Sequence, residues 1–224
     1  MAMNYDHVMS LKSEGNRFSY TDRETMLYAL GIGMGRVPLD ETELAYVFER
    51  APLKTVASMA SVLGKPQIMQ DSGYNRAMVV HGEMSIMLDR PLPPEGELIA
   101  DARVVEAYDK GEGRGALVYV ETKVRTAADD RPLFTTLSAS FCRGDGGFGG
   151  STAPTPAPHE MPDRAPDFTC ALETRPDQAL LYRLNGDRNP LHADPVLAKR
   201  VGFPVPILHG LCSYGIACKA ILQT

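Results

Sequence analysis

Apolar and polar positions alternate in three runs between residues 97 and 142: ELIADARVVEAY (97–108), ALVYVETKVRT (116–126) and PLFTTLSASFC (132–142), separated by DKGEGRG and AADDR. A period of two puts successive side chains on opposite faces, so the runs predict antiparallel strands joined by short turns. In the middle run Val118, Val120, Thr122 and Val124 share the more uniformly apolar face, with Leu117, Tyr119, Glu121 and Lys123 opposite. Upstream, residues 22–31 (DRETMLYALG) carry an N-cap signal, early acidic residues and a closing glycine, which predict a helix. Residues 81–89 (HGEMSIMLD), closed by the prolines after them, predict a second helix. Residues 211–222 (LCSYGIACKAIL) are apolar nearly all round, with Ser213 and Lys219 the only plainly polar side chains. Such a helix belongs inside a fold.

One composition shift interrupts the pattern. Residues 144–166 read GDGGFGGSTAPTPAPHEMPDRAP, too rich in Gly and Pro for a helix or a central strand. They predict a surface linker dividing the chain into 1–143 and 167–224. The two parts echo each other. LYAL at 27–30 recurs as LYRL at 181–184, and HGEMS at 81–85 recurs as HGLCS at 209–213, each HG preceded by two aliphatic residues. The shared order predicts a duplicated domain. In the second part the sequence stops at Thr224, directly after its HG helix. Leaving even five of that helix's large side chains wet would forgo roughly 1.5–3 kcal/mol each. The expectation is therefore a C-terminally shortened chain whose second sheet is missing or supplied by another chain.

Composition narrows the function. Across 224 residues the net charge is −5, with no basic block, which argues against nucleic acid as a partner. Cys142, Cys170, Cys212 and Cys218 lack CxxC or CxxH spacing, so neither a zinc site nor a disulfide framework is expected, and a reducing cytoplasm is the default compartment. The N-terminus is too polar for a signal peptide, and no apolar run reaches membrane-spanning length. GxGxG at 31–35 comes after a predicted helix rather than a strand and is no dinucleotide fingerprint. Ser213 lacks a nucleophile-elbow context. The eleven methionines read as core filler.

The chemistry concentrates in YRLNGDRNPLHAD, residues 182–194. Gly186 relaxes a helix end and Asn189-Pro190 marks a tight loop, so Asp187 and His192 can converge on one point. A carboxylate and an imidazole holding the same water can add it across a double bond conjugated to a thioester, typically contributing ~10²–10⁴-fold. The negative charge developing on the thioester oxygen needs a donor, and the N–H of Gly210 at a helix start is suited to that task. Asp194 before Pro195 reads as an N-cap. His81 and His209 read equally as helix caps or ligand contacts. Lys110, in a glycine-rich turn, reads as a solvated lysine or as an ammonium meeting a phosphate.

YRLNGDRNPLHADPVLAKRVGF, with PILHGLCSYGIA after it, resembles the signature of the type 2, R-specific enoyl-CoA hydratases of the MaoC-like family. LYALGIG, VVHGEMS, RPLPPEGEL and GGFGG are similar to that family's first, non-catalytic domain. The resemblance covers nearly the whole chain. It implies an α+β double hot-dog fold, each half a long helix wrapped by an antiparallel sheet, the second half here lacking its C-terminal strands. It also implies syn hydration of trans-2-enoyl-CoA to (3R)-hydroxyacyl-CoA, without metal or redox cofactor. Asp187 and His192 match the family's catalytic pair, Asn189 the residue holding the water, and Gly210 the thioester-oxygen contact. Substrate contacts are implied along Asp187, Arg188, Asn189, Pro190, Leu191 and His192, and at Gly210, His81, Gly82 and Lys110. Gly33 stands opposite Asp187 in the LYxL register, so the first half is expected to be catalytically silent. The resemblance implies an acyl-CoA partner, with a homodimer and, in a eukaryote, a peroxisomal location as further expectations. The rival readings are a hot-dog acyl-CoA thioesterase and a non-catalytic acyl-CoA-binding or assembly protein.

Overall fold

The computed structural model describes residues 3–50, 52–157 and 160–223. In chain order its elements are α1 (Tyr5–Ser10), β1 (Lys12–Tyr20), α2 (Asp22–Gly31), α3 (Glu41–Leu44), β2 (Val79–Leu88), β3 (Gly96–Asp109), β4 (Ala116–Thr126), β5 (Pro132–Cys142), α4 (Gln178–Tyr182), α5 (Pro195–Arg200) and α6 (Gly210–Leu222), with short 3-10 turns between them. They form two compact units, each assembled from separated stretches. The first holds Met1–Phe18, Gly64–Arg90 and Leu98–Pro166; the second holds Ser19–Leu63, Pro91–Glu97 and Asp167–Thr224.

The first unit is built on a five-stranded sheet in the order β1-β3-β4-β5-β2. The pairs β3–β4, β4–β5 and β2–β5 are antiparallel. The three alternating runs become β3, β4 and β5, and the apolar face of β4 is the covered one. Val118, Val120, Thr122 and Val124 are all buried. Val118 and Val120 pack with Ala102, Val104 and Ala107 of β3 and with Val8 and Ile68. On the opposite face Lys123 is exposed, while Tyr119 is covered by an edge-on contact with Tyr108, 5.8 Å between ring centroids.

Residues 81–89, expected as a helix, lie instead in β2 and its exit. The physical reason is in the run itself. Met84, Ile86 and Leu88 are partly buried while Glu83, Ser85 and Met87 are exposed, a period of two that fits a strand and not a helix. The whole run pairs with β5, Met84 opposite Ser138 and Ile86 opposite Thr136. The echo between HGEMS and HGLCS therefore joins a strand to a helix. Gly82 sits where the register shifts between His81 and Glu83, and a Cβ there would stand 3.2 Å from the Ala139 carbonyl oxygen. Close backbone approach at a bulge explains a glycine at that position.

The Gly/Pro-rich stretch holds no helix or strand element among its described residues, yet its start is fixed to the sheet. Ser151 donates to the Ala107 carbonyl at 2.9 Å and accepts from the Asp109 N–H at 2.8 Å. The Asp109 carboxylate accepts from Gly111 and Gly147 at 2.8 Å and from Gly149 at 3.0 Å. Burial alone would raise this carboxyl's pKa, but the backbone donors outweigh it and hold the group below the usual range. Pro158 and His159 lie outside the described residues.

The second unit is helical. The Glu24 carboxylate accepts from the Thr21 N–H at 2.9 Å and its hydroxyl at 2.6 Å, a capping box that starts α2. Tyr28 and Ala29 are fully buried, and the Tyr28 hydroxyl donates to Ser58 at 3.0 Å. Gly31 lets α2 approach α4: a Cβ there would meet the Asn185 amide at 2.9 Å and the Tyr182 ring at 3.4 Å. Gly215 does the same for α6, since a Cβ would stand 2.5 Å from Ile32. Lys219, expected as one of two polar positions on α6, is buried and ion-paired with the equally buried Glu43 at 2.5 Å. Among the described residues no helix is long and apolar enough to cross a membrane.

Candidate active site

All the loop residues singled out by sequence fall in the second unit. After α4 the chain makes a 3-10 turn over Arg183–Asn185 and passes through Gly186 in the left-handed region at φ 104°. That reversal presents Asp187. Asn189 then caps a second 3-10 turn, Pro190–His192, its side-chain oxygen accepting from the Leu191 N–H at 3.0 Å. The turn returns His192 toward Asp187. Asp194 caps α5 as expected, accepting from Val196 at 2.8 Å and Leu197 at 3.3 Å, with Pro195 at the first helical position.

Asp187 and His192 are brought together, with His209 as a third member. Their side-chain donor atoms all lie within 4.8 Å of one another. Asp187 and His192 are half-buried, while Asn189, Arg188, Pro190 and Gly210 are exposed and Leu191 is half-buried. His192 Nδ1 lies 2.8 Å from the Ile207 carbonyl oxygen. A carbonyl can only accept, so Nδ1 carries the proton and Nε2 presents its lone pair. The Asp187 carboxylate accepts from the Asn189 N–H at 3.3 Å, which ties it to the same loop.

His209 is the residue that sequence left between cap and ligand. It precedes α6 without making a side-chain cap bond. Its Nε2 donates to the Asp187 main-chain carbonyl at 3.0 Å, and its ring stacks on His192 with centroids 3.6 Å apart and planes 24° from parallel. Behind it lies Tyr182, ring centroids 5.1 Å apart, and behind that Tyr28 at 6.1 Å. Burial lowers the His209 pKa, so the ring is held neutral. Gly210, the next residue, begins α6. A Cβ at Gly210 would meet nothing within 4 Å, so packing within the protein does not require glycine there.

The trio has the residue types of a metal site, but imidazole lone pairs lie in the ring plane. Two nearly parallel rings 3.6 Å apart cannot both aim at one ion about 2.1 Å from each nitrogen. The arrangement suits proton transfer better than chelation.

His81, Gly82 and Lys110 belong to the first unit. His81 is exposed in β2, opposite Ser140. Lys110 is exposed in the β3–β4 turn, its ammonium 5.6 Å from the centre of the Phe141 ring. With Arg114 and Thr155 it lines an open depression of about 630 Å³.

The loop brings a carboxylate and a tautomer-fixed imidazole together, an arrangement able to move protons to and from a shared water. Comparison with known proteins places the chain in a family. Residues 18–144 match the MFE-2 hydratase 2 N-terminal domain, and residues 158–224 match the MaoC like domain. The chain is 42% identical to 3-hydroxyacyl-thioester dehydratase Y of Mycobacterium tuberculosis, over 92% of this chain and 71% of that protein. It is 36% identical to the peroxisomal enoyl-CoA hydratase 2 of Arabidopsis thaliana, over 98% and 76%. The crystal structure of a MaoC-like dehydratase from Phytophthora capsici superposes with a TM-score of 0.84 at 33% identity, covering 99% of this chain and 78% of that one. The chain belongs to the MaoC-like hydratase 2 family and has its hot-dog type of fold.

Proposed function

We propose that this protein hydrates trans-2-enoyl-CoA reversibly to (3R)-3-hydroxyacyl-CoA in fatty-acid or related acyl-CoA metabolism, with Asp187 and His192 as its catalytic pair. The observation that carries the reading is the convergence of these two side chains within 4.8 Å on one short loop. The water oxygen bonds the β-carbon as His192 Nε2, the free lone pair of the fixed tautomer, accepts its proton. Asp187 holds the same water, and the pair returns one proton to the α-carbon, so one water is consumed and nothing is oxidised or reduced. Asn189 shapes the loop and borders the water. The Gly210 N–H donates to the thioester oxygen as negative charge gathers there, a type of contact worth about 2.7–4 kcal/mol. The open space over Gly210 supports this role, because a side chain would stand where the thioester approaches. His81, Gly82, Lys110, Arg188, Pro190 and Leu191 are proposed as substrate contacts, Lys110 toward a CoA phosphate. No metal or redox cofactor takes part in this scheme.

We further propose a double hot-dog arrangement, the two halves meeting at residues 144–166, with α6 as the central helix of the catalytic half. Exposed Tyr214, Ile221 and Leu222 on α6 support a covering layer over that face. A homodimer and a reducing compartment complete the proposal; the four free cysteines fit the latter.

Loss of the conjugated enoyl-thioester absorbance with crotonyl-CoA or trans-2-decenoyl-CoA tests the activity. Chiral chromatography should give the 3R product. Asp187→Asn should lower kcat by about 10²–10⁴-fold; equal turnover by the two forms would dispose of the catalytic assignment. Release of free thiol in step with the loss of absorbance, with no 3-hydroxyacyl product, would make the protein a thioesterase.

A further inference from the structure

The catalytic pair sits on an exposed loop, and something must hold it to the sub-ångström geometry that acid–base chemistry needs. Neither Asp187 nor His192 is deeply buried. His209 is, with 2% of its surface exposed, and it touches both partners in different ways. Its Nε2–H anchors the main chain of Asp187. Its ring face lies flat on His192.

We propose that His209 is a positioning residue, which fixes the Asp187 main chain by a hydrogen bond and the His192 ring plane by stacking, and so sets the two reacting groups against one water. The proposal rests on the hydratase reading of the site. A cap role does not account for the residue, because its side chain makes no cap bond to α6. A second substrate contact does not account for it either, since the ring is sealed between His192 and Tyr182. The column Tyr28–Tyr182–His209–His192 instead runs from the fully buried interior of the unit to the reacting imidazole. Each ring fixes the next, and the Ile207 carbonyl fixes the remaining rotation of His192. A ring held neutral by burial also lets His192 take up a proton without a like charge 3.6 Å away.

The test compares the purified protein with His209→Ala, which loses both contacts, His209→Gln, which keeps a neutral donor, and His209→Phe, which keeps the ring face. Steady-state kinetics with crotonyl-CoA should show kcat of His209→Ala lowered roughly 10- to 100-fold, as small misplacements of reacting groups cost. KM should change by less than about 3-fold, since no direct substrate contact is lost. His209→Gln and His209→Phe should fall between. The ¹⁵N imidazole signals of His192 give a readout independent of turnover. They should be sharp in the wild type, with Nδ1 protonated toward the Ile207 carbonyl, and shifted and broadened in His209→Ala as the ring loses its stacking partner. Wild-type kcat and unchanged His192 signals in a folded His209→Ala protein would overturn the proposal. Should that variant not fold, wild-type kcat in both the Gln and Phe forms would overturn it equally. If the wild type hydrates no enoyl-CoA but the His192 signals still respond to His209, the positioning stands and the hydratase reading fails. Signals that do not respond sink the positioning whatever the activity.

Discussion

The local chemistry of the loop was legible residue by residue. Gly186, Asn189 and Asp194 are all placed by preferences that act within four residues, and each does in the structure what its type and neighbours suggest. His209 was not legible, because stacking on a ring 17 positions away leaves no local mark. Two predictions belong here. At Gly186 a Cβ would meet nothing within 4 Å, so the only objection to a side chain is the left-handed backbone. Gly186→Ala should cost about 1–2 kcal/mol in urea denaturation and lower kcat by displacing Asp187. No loss of stability would mean the loop relaxes freely. The second concerns pH. His209 has a folded-state pKa lowered by desolvation, opposed by the Asp187 carbonyl bond and aided by the His192 charge. Its unfolded value is about 6.5, so the unfolded chain binds the proton first. The stability linked to His209 is therefore complete above about pH 6.5 and is lost as pH falls through the lower folded value. Thermal melts between pH 8 and pH 5 should show this slope in the wild type and a shallower one in His209→Gln.

Elements were read best where one period dominates. β3, β4 and β5 carry alternation over eleven or more residues, and their observed limits match the predicted ones within one residue. β1 was not anticipated, since KSEGNRFSY is mostly exposed and carries almost no apolar signal. β2 was mistaken for a helix because its HG resembles the start of α6, although its own alternation argued for a strand. Identical dipeptides take the structure of their surroundings, here pairing with β5 against packing in a helical unit. α6 shows a different limit of sequence reading. Lys219 stood out only as one of two plainly polar side chains on an apolar helix, yet it donates to the Gly33 carbonyl and pairs with Glu43, whose other oxygen accepts from the Gly35 N–H. No local pattern can show that a lysine will meet a glutamate 176 positions earlier. Removing one partner of such a pair leaves an uncompensated buried charge. Lys219→Met should destabilise the protein by roughly 3–5 kcal/mol in urea, and adding Glu43→Gln should restore much of the loss. A single variant as stable as the wild type would show that Glu43 is hydrated.

At the scale of the molecule, the chain order and the packing order differ. The Gly/Pro-rich stretch looks like a seam between consecutive halves, and family resemblance runs on either side of it. Yet the second compact unit combines Ser19–Leu63 and Pro91–Glu97 with Asp167–Thr224. Within that unit, α2 is covered by residues from beyond the stretch. Tyr28 lies against Tyr182, Gly31 against Asn185, and Ile32 beside Gly215; Gln178 and Cys212 both donate to the Gly31 carbonyl. A fragment ending at Arg143 would expose Tyr28, Ala29 and Ile32, each fully or almost fully buried in the whole chain. Exposing each of the two large side chains, Tyr28 and Ile32, costs roughly 1.5–3 kcal/mol, against a total stability for a typical domain of about 5–15 kcal/mol. The unpaired Glu43, deprived of Lys219, adds to that cost. Residues 1–143 expressed alone should therefore bind a hydrophobic dye and lack a cooperative melt over residues 19–63, whose amide NMR signals should collapse toward unfolded values. If those signals instead keep the dispersion they have in the full chain, the first half supplies its own cover and the two halves do not depend on one another for it.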